Sequence, residues 1–141
     1  MVIEFWAITT LILPIQVKER QVPSPIFIVD DDESVCRSLK ILLTTYDFEV
    51  KTFNSAKSFF DNVAHDAPGC LLLDIHMPGL DGWETQKKIL ASGSKRPVIF
   101  ISAEKKDDAG ERALQVGAVG FLQKPVNGQS LVELISAASK N

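Results

Sequence analysis

The chain has 141 residues, of which 45% are hydrophobic and 23% charged, and it carries a formal net charge of −3. That length suits one domain able to bury its own core without disulfides. The acidic balance and the lack of a basic run argue against nucleic-acid binding by this chain alone. Cys36 and Cys70 sit in apolar patterns without metal-ligand spacing, which fits core thiols in a reducing, cytoplasmic setting.

Residues 1–25 break the pattern of the rest. Val2 to Val17 is apolar-rich, but Glu4 and Pro14 interrupt it, and it is shorter than the roughly 20 apolar residues of a membrane helix. No basic start or small-residue cleavage site accompanies it, so it is a poor signal peptide. Pro23-Ser24-Pro25 reads as a linker, and residues 1–25 are expected to lie outside the fold that spans residues 26–141.

The fold then alternates strand and helix. Ile26-Phe27-Ile28-Val29 is continuously apolar and ends in Asp30-Asp31-Asp32. A helix follows with Val35, Leu39, Leu42, Leu43 and Tyr46 at helical spacing, and Asp32 and Glu33 suit its positive N-terminus. Phe48 to Phe53 alternates apolar and polar, the mark of an edge strand. Asn54 or Ser55 is placed to cap a second helix whose apolar face is Ala56, Phe59, Phe60 and Val63.

Leu71-Leu72-Leu73 reads as a strand buried on both faces, and Asp74 ends it before Pro78-Gly79 turns the chain. A third helix is expected from about Gly82 to Ala91, anchored by Trp83 and Leu90. Val98-Ile99-Phe100-Ile101 is a further apolar strand ending in Ser102. A short charged helix, about Lys106 to Val116, contains Gly110, which costs about 1 kcal/mol against alanine. Ala118 to Gln123 is the last strand, closed by Lys124-Pro125. A final helix carries Leu131, Leu134, Ile135 and Ala138 on one face, with Asn127 as its cap.

Five strand–helix units predict a doubly wound parallel sheet with helices on both faces. The fully apolar strands belong at the centre and the others at the edges, which gives the flavodoxin-like order 2-1-3-4-5. Right-handed crossovers then bring Asp30, Asp31, Asp74, Ser102 and Lys124 to one rim. Three carboxylates crowded there repel one another, and a hard divalent cation such as Mg²⁺ relieves that. Lys124 adds a point charge for an anion such as phosphate, and Ser102 a hydroxyl. A carboxylate nucleophile beside them can form an acyl phosphate.

At Ile28-Val29-Asp30-Asp31, Leu73-Asp74-Ile75-His76-Met77-Pro78-Gly79 with Asp81-Gly82, Ile101-Ser102-Ala103 and Gly117 through Pro125, the chain resembles the receiver domains of two-component response regulators. The resemblance covers residues 26 to about 139, and the motifs stand in order at the family's spacing. It implies that Asp74 takes a phosphoryl group from a sensor histidine kinase or phosphotransfer protein. It implies that Asp30, Asp31, Asp74 and the backbone carbonyl of His76 hold Mg²⁺. It also assigns Lys124 and Ser102 to the phosphoryl group, Phe121 to an aromatic that swings inward, and His76 and Glu104 to tuning the phosphate's lifetime. The Lys124–Pro125 bond is cis in this family. The family match further settles the register of the aspartate triplet on Asp30 and Asp31, leaving Asp32 as a helix-start charge.

On this reading the chain is no enzyme beyond promoting its own phosphorylation and dephosphorylation. Signalling is expected through the face of the fourth helix, fifth strand and fifth helix, which could also support a homodimer. No membrane contact is expected. The alternatives are a phosphate sink or a pseudo-receiver that keeps the fold without the chemistry. A flavin protein of the same topology is disfavoured, because three aspartates after the first strand would repel phosphate. The chain stops soon after the fifth helix, and either a stand-alone receiver or one cut from a longer regulator is consistent with that. The ring of His76 is expected to face solvent.

Overall fold

The structure, a computed structural model, describes residues 24–139. Nearly all of the expected N-terminal extension therefore lies outside the described residues. The elements run β1 (Ile26–Val29), α1 (Glu33–Thr44), β2 (Val50–Phe53), α2 (Ala56–Asn62), β3 (Cys70–Asp74), α3 (Gly82–Ala91), β4 (Val98–Ser102), α4 (Lys106–Gln115), β5 (Gly120–Gln123) and α5 (Gly128–Ser139). All strands pair in parallel in the order β2-β1-β3-β4-β5, as the edge and centre patterns predict.

Alternate residues of each strand feed two cores, one on each face of the sheet. Phe27, Val29, Leu71, Leu73, Val98, Phe100 and Phe121 face the layer of α2, α3 and α4. Ile26, Ile28, Leu72, Ile99 and Ile101 face α1 and α5, where they meet Leu39, Leu43, Leu131 and Ile135. Because both faces are covered, β1, β3 and β4 need no polar positions before their last residue. The edge strands β2 and β5 end in half-buried or exposed residues.

Caps set the helix starts. Asp32 accepts from the Ser34 N–H at 2.9 Å and opens α1, the role expected of it. Ser55 caps α2 through the Ser58 N–H at 3.1 Å. Asp81 and Glu84 form a reciprocal capping box on α3. Asn127 accepts from the Ser130 N–H at 2.9 Å at the start of α5.

Three packing expectations are corrected. Tyr46 is 46% exposed, because α1 ends at Thr44 and the chain turns before the tyrosine can continue the apolar stripe. Cys36 fills the core instead. Leu90 is 52% exposed, and α3 buries Thr85, Gln86 and Ile89 on its inner face. Trp83 does anchor that helix, its ring centroid 4.7 Å from that of Phe100. The edge strands are also shorter than expected: β2 begins at Val50, not Phe48, and β5 at Gly120, not Ala118. Phe48 still packs on the core, and Ala118 N–H is taken by the Ala113 carbonyl at the end of α4.

Candidate functional site

Three parallel strands end at one rim, and each delivers a polar side chain there. Asp30 follows β1, Asp74 ends β3 and Ser102 ends β4, and all three are buried. Asp31, next in chain, is exposed. The rim is shaped by a close approach between α3 and β3. The Gly82 N–H donates to the Ile75 carbonyl at 2.7 Å, and a Cβ at Gly82 would lie 2.5 Å from the Asp74 carbonyl oxygen. Only glycine fits, so the Asp81-Gly82 pair fixes the chain directly behind Asp74.

The carboxylate oxygens of Asp30, Asp31 and Asp74 lie within 4.8 Å of one another. One cation faces the two buried ones. Lys124 Nζ stands 2.8 Å from Asp30 Oδ2 and donates to Asp74 Oδ1 at 3.2 Å. The Lys124–Pro125 bond behind it is cis, as the resemblance implies. Burial pushes the Asp74 carboxyl up to about 6, and the neighbouring Asp30 charge adds to this; Lys124 pulls the other way but does not win. Burial works to lower the Lys124 ammonium, but its close contact with Asp30 and the charges of Asp30 and Asp74 raise it overall.

Charge at the rim is thus under-compensated. Asp30 Oδ1 accepts from the Asp32 N–H at 2.9 Å, but Asp30 Oδ2 has only the nearby ammonium and no well-directed hydrogen bond. A buried carboxylate oxygen in that condition is costly, and it is also an available ligand. The residues fit a hard divalent cation: three oxygen donors from side chains, one of them exposed enough for water to share the coordination.

Other expected residues also come to this rim. Ser102 Oγ accepts from the Glu104 N–H at 3.1 Å and so is turned toward its own loop. His76 and Glu104, expected separately beside the site, bond to each other through His76 Nε2 and Glu104 Oε1. The His76 ring is exposed, but paired rather than free in solvent. Phe121 is 7% exposed and already lies among the core residues under α4. Cys36 and Cys70 are free, buried thiols, which burial pushes up to about 11 and about 12 respectively.

Sequence reasoning missed three buried polar side chains, one of them Thr85, whose hydroxyl donates to the Asp81 carbonyl at 2.6 Å. Arg96 lies at the opposite rim, where it donates to the Gly69 and Ala64 carbonyls at 2.9 and 3.0 Å and stacks over Phe27 and Phe59. Gln86 is buried under α4 and donates to the Val116 carbonyl at 3.0 Å. No local pattern marks Arg96 or Gln86.

Fold and rim together define a doubly wound α/β domain with an acidic, lysine-bearing site at its carboxyl edge. The response regulator receiver domain model matches residues 26–136, and the chain belongs to that family. It is 40% identical over 115 residues to the transcriptional regulatory protein TdiR of Thauera aromatica, covering 82% of this chain and 51% of TdiR. It is 38% identical over 117 residues to the response regulator protein TmoT of Ectopseudomonas mendocina, covering 83% and 53%. The chain therefore spans about half the length of these relatives. Among solved structures, the response regulator StyR superposes with a TM-score of 0.75 at 38% identity, over 82% of this chain and 59% of that one. Full-length FixJ from B. japonicum gives 0.75 at 32% identity, over 85% and 59%. Among the described residues, no helix is long and apolar enough to cross a membrane.

Proposed function

We propose that this receiver domain is a phosphoacceptor switch in which Asp74 takes a phosphoryl group from a phosphohistidine on a sensor kinase or phosphotransfer protein. The observation that carries this reading is the Asp74 carboxyl, held at the end of β3 with Asp30, Asp31 and Lys124 around it and pushed up to about 6. At neutral pH such a group is mostly ionised, so it remains a nucleophile. A carboxylate oxygen of Asp74 attacks phosphorus, the phosphorus–nitrogen bond of the donor breaks, and its electron pair stays on the imidazole.

Asp30, Asp31, Asp74 and the His76 backbone carbonyl would hold Mg²⁺, which supplies positive charge to the phosphoryl oxygens. Lys124 would exchange its contact with Asp74 for the phosphoryl group. Ser102 would release the Glu104 N–H and turn its hydroxyl to a phosphoryl oxygen. His76 and Glu104, paired across the mouth of the site, would govern how readily water reaches the phosphate. The response would appear on the face of α4, β5 and α5, where Leu114 and Val119 are exposed and Phe121 lies beneath. That face is the one proposed to meet an output partner or a second copy of the chain. The name of TdiR supports transcriptional control as the output, and a phosphohistidine donor supports a cytoplasmic location.

We also propose that residues 1–25 lie outside the domain, which the start of the family match at residue 26 supports. A chain beginning at Ser24 is expected to keep its melting temperature and labelling rate.

Incubation with acetyl phosphate and Mg²⁺ is expected to add one phosphate to the intact mass of the protein and none to Asp74→Asn. Equal labelling of that variant would overturn the assignment of Asp74, and labelling that a chelator leaves unchanged would overturn the metal role. Labelling without any change at the α4–β5–α5 face in amide NMR shifts would reduce the domain to a phosphate sink.

A further inference from the structure

α4 lies close against β5, but it packs there through small side chains. Its buried side chains, among those described, are Ala109 and Ala113, which bring only methyl groups to the core. Its N-cap, Lys105, makes no side-chain capping bond, and Gly110 lies in its middle. Two contacts from α3 hold its C-terminal half. The Arg112 guanidinium stacks 4.2 Å above the Trp83 ring, and Trp83 in turn rests on Phe100. The Gln86 side-chain amide donates to the Val116 carbonyl, just past the last turn of α4.

Gln86 is a costly way to fill its space. The side chain is 2% exposed, and its Oε1 has no partner. An apolar side chain of similar size would avoid that cost, so the polar contact to α4 is what the amide contributes. Phe100, on which Trp83 sits, lies two residues before Ser102 on β4 and opposite Phe121 on β5. The contacts thus connect α4 to the strand whose end would meet the phosphoryl group. They coexist with a rim whose phosphate-binding groups have protein partners: Ser102 accepts from the Glu104 N–H, and Lys124 contacts Asp30 and Asp74.

We propose that Trp83 and Gln86 form a two-point latch on α4, which holds it in the arrangement of the unphosphorylated site and so opposes phosphorylation. The latch rests on the phosphoacceptor reading above. By linkage, a contact made better in one state than in the other shifts ligand affinity by the same difference. Weakening the latch therefore tightens binding of a phosphoryl mimic.

The test uses the full chain with Trp6→Phe, so that Trp83 is the sole tryptophan. Beryllium fluoride with Mg²⁺ is titrated into this parent and into its Arg112→Gln variant, with affinity read by calorimetry and latch opening by Trp83 emission. Arg112 is exposed, so the substitution leaves the core untouched. The variant is expected to bind roughly two- to fivefold more tightly, the range that one exposed cation–π contact can shift an equilibrium. Its Trp83 emission should change less on saturation than the parent's. Arg112→Lys, which keeps the charge on a weaker stack, should fall between them. Loss of positive charge alone would weaken capture of an anion, so tightening cannot come from the long-range field. Unchanged or weaker affinity in Arg112→Gln, with circular dichroism unaltered, overturns the latch. Failure of the parent to bind beryllium fluoride at all overturns the phosphoacceptor reading, and the latch with it.

Discussion

The two rims of the sheet handle buried charge in opposite ways. At the amino-terminal rim, the Arg96 guanidinium donates to two backbone carbonyls and lies over the rings of Phe27 and Phe59. At the carboxyl rim, Asp30, Asp31 and Asp74 share one ammonium, and Asp30 Oδ2 lacks a directed hydrogen bond. A buried charge with its partners in place is a structural device. A buried charge whose partners fall short is held for something the protein has yet to bind. The contrast teaches that satisfaction, rather than burial or charge alone, separates the scaffold from the site.

Substitution at each rim sharpens that contrast. The largest effect is expected at Arg96. Arg96→Ala leaves the Gly69 and Ala64 carbonyls without their donors and opens space beside Phe27 and Phe59, at a cost of about 3 kcal/mol in urea denaturation. The folded fraction should still label at the parent rate. A loss below about 1 kcal/mol would show that the arginine is not a structural keystone.

Asp74→Asn should do the reverse. The folded Asp74 carboxyl lies at about 6 against an ordinary value of 3.8, so the folded state binds its proton more tightly than the unfolded chain does. The favourable contribution is therefore present below pH 3.8 and is lost as the pH rises through about 6. Without Mg²⁺, the asparagine variant should exceed the parent by about 2–3 kcal/mol at pH 8, with the gap closing between pH 6 and pH 4. Equal stability across that range would mean that the carboxylates are not strained at this rim.

Asp31 is exposed, so Asp31→Asn should change stability by no more than about 0.5 kcal/mol. Its effect belongs to the cation. Millimolar Mg²⁺ should raise the melting temperature of the parent by mass action and raise that of the variant much less. Equal protection of both would remove Asp31 from the proposed ligand set.

Much of this was legible from one dimension. The unbroken apolar runs of β1, β3 and β4 can only be strands covered on both faces, and the weaker patterns of β2 and β5 leave them the edges. Once the order is known, parallel strands with right-handed crossovers must bring their ends to a common rim. Asp30, Asp74, Ser102 and Lys124 were therefore placed together by residue pattern and topology alone. Local chemistry also announced the caps at Asp32, Ser55 and Asn127, since each bonds a backbone group within three residues.

The tertiary structure decided what depends on contacts between distant segments. The inner face of α3 turned on how that helix meets β4, which buried Gln86 and left Leu90 in solvent. The pairing of His76 with Glu104 needed two loops to meet across the site. Arg96 stands in an unremarkable loop until folding sets it over Phe27 and Phe59. The rise of the Asp74 carboxyl to about 6 required both its burial and the nearness of Asp30. Periodicity records which side of an element is apolar, but the partner each side chain meets is set by where whole elements cross, and no local pattern carries that distance.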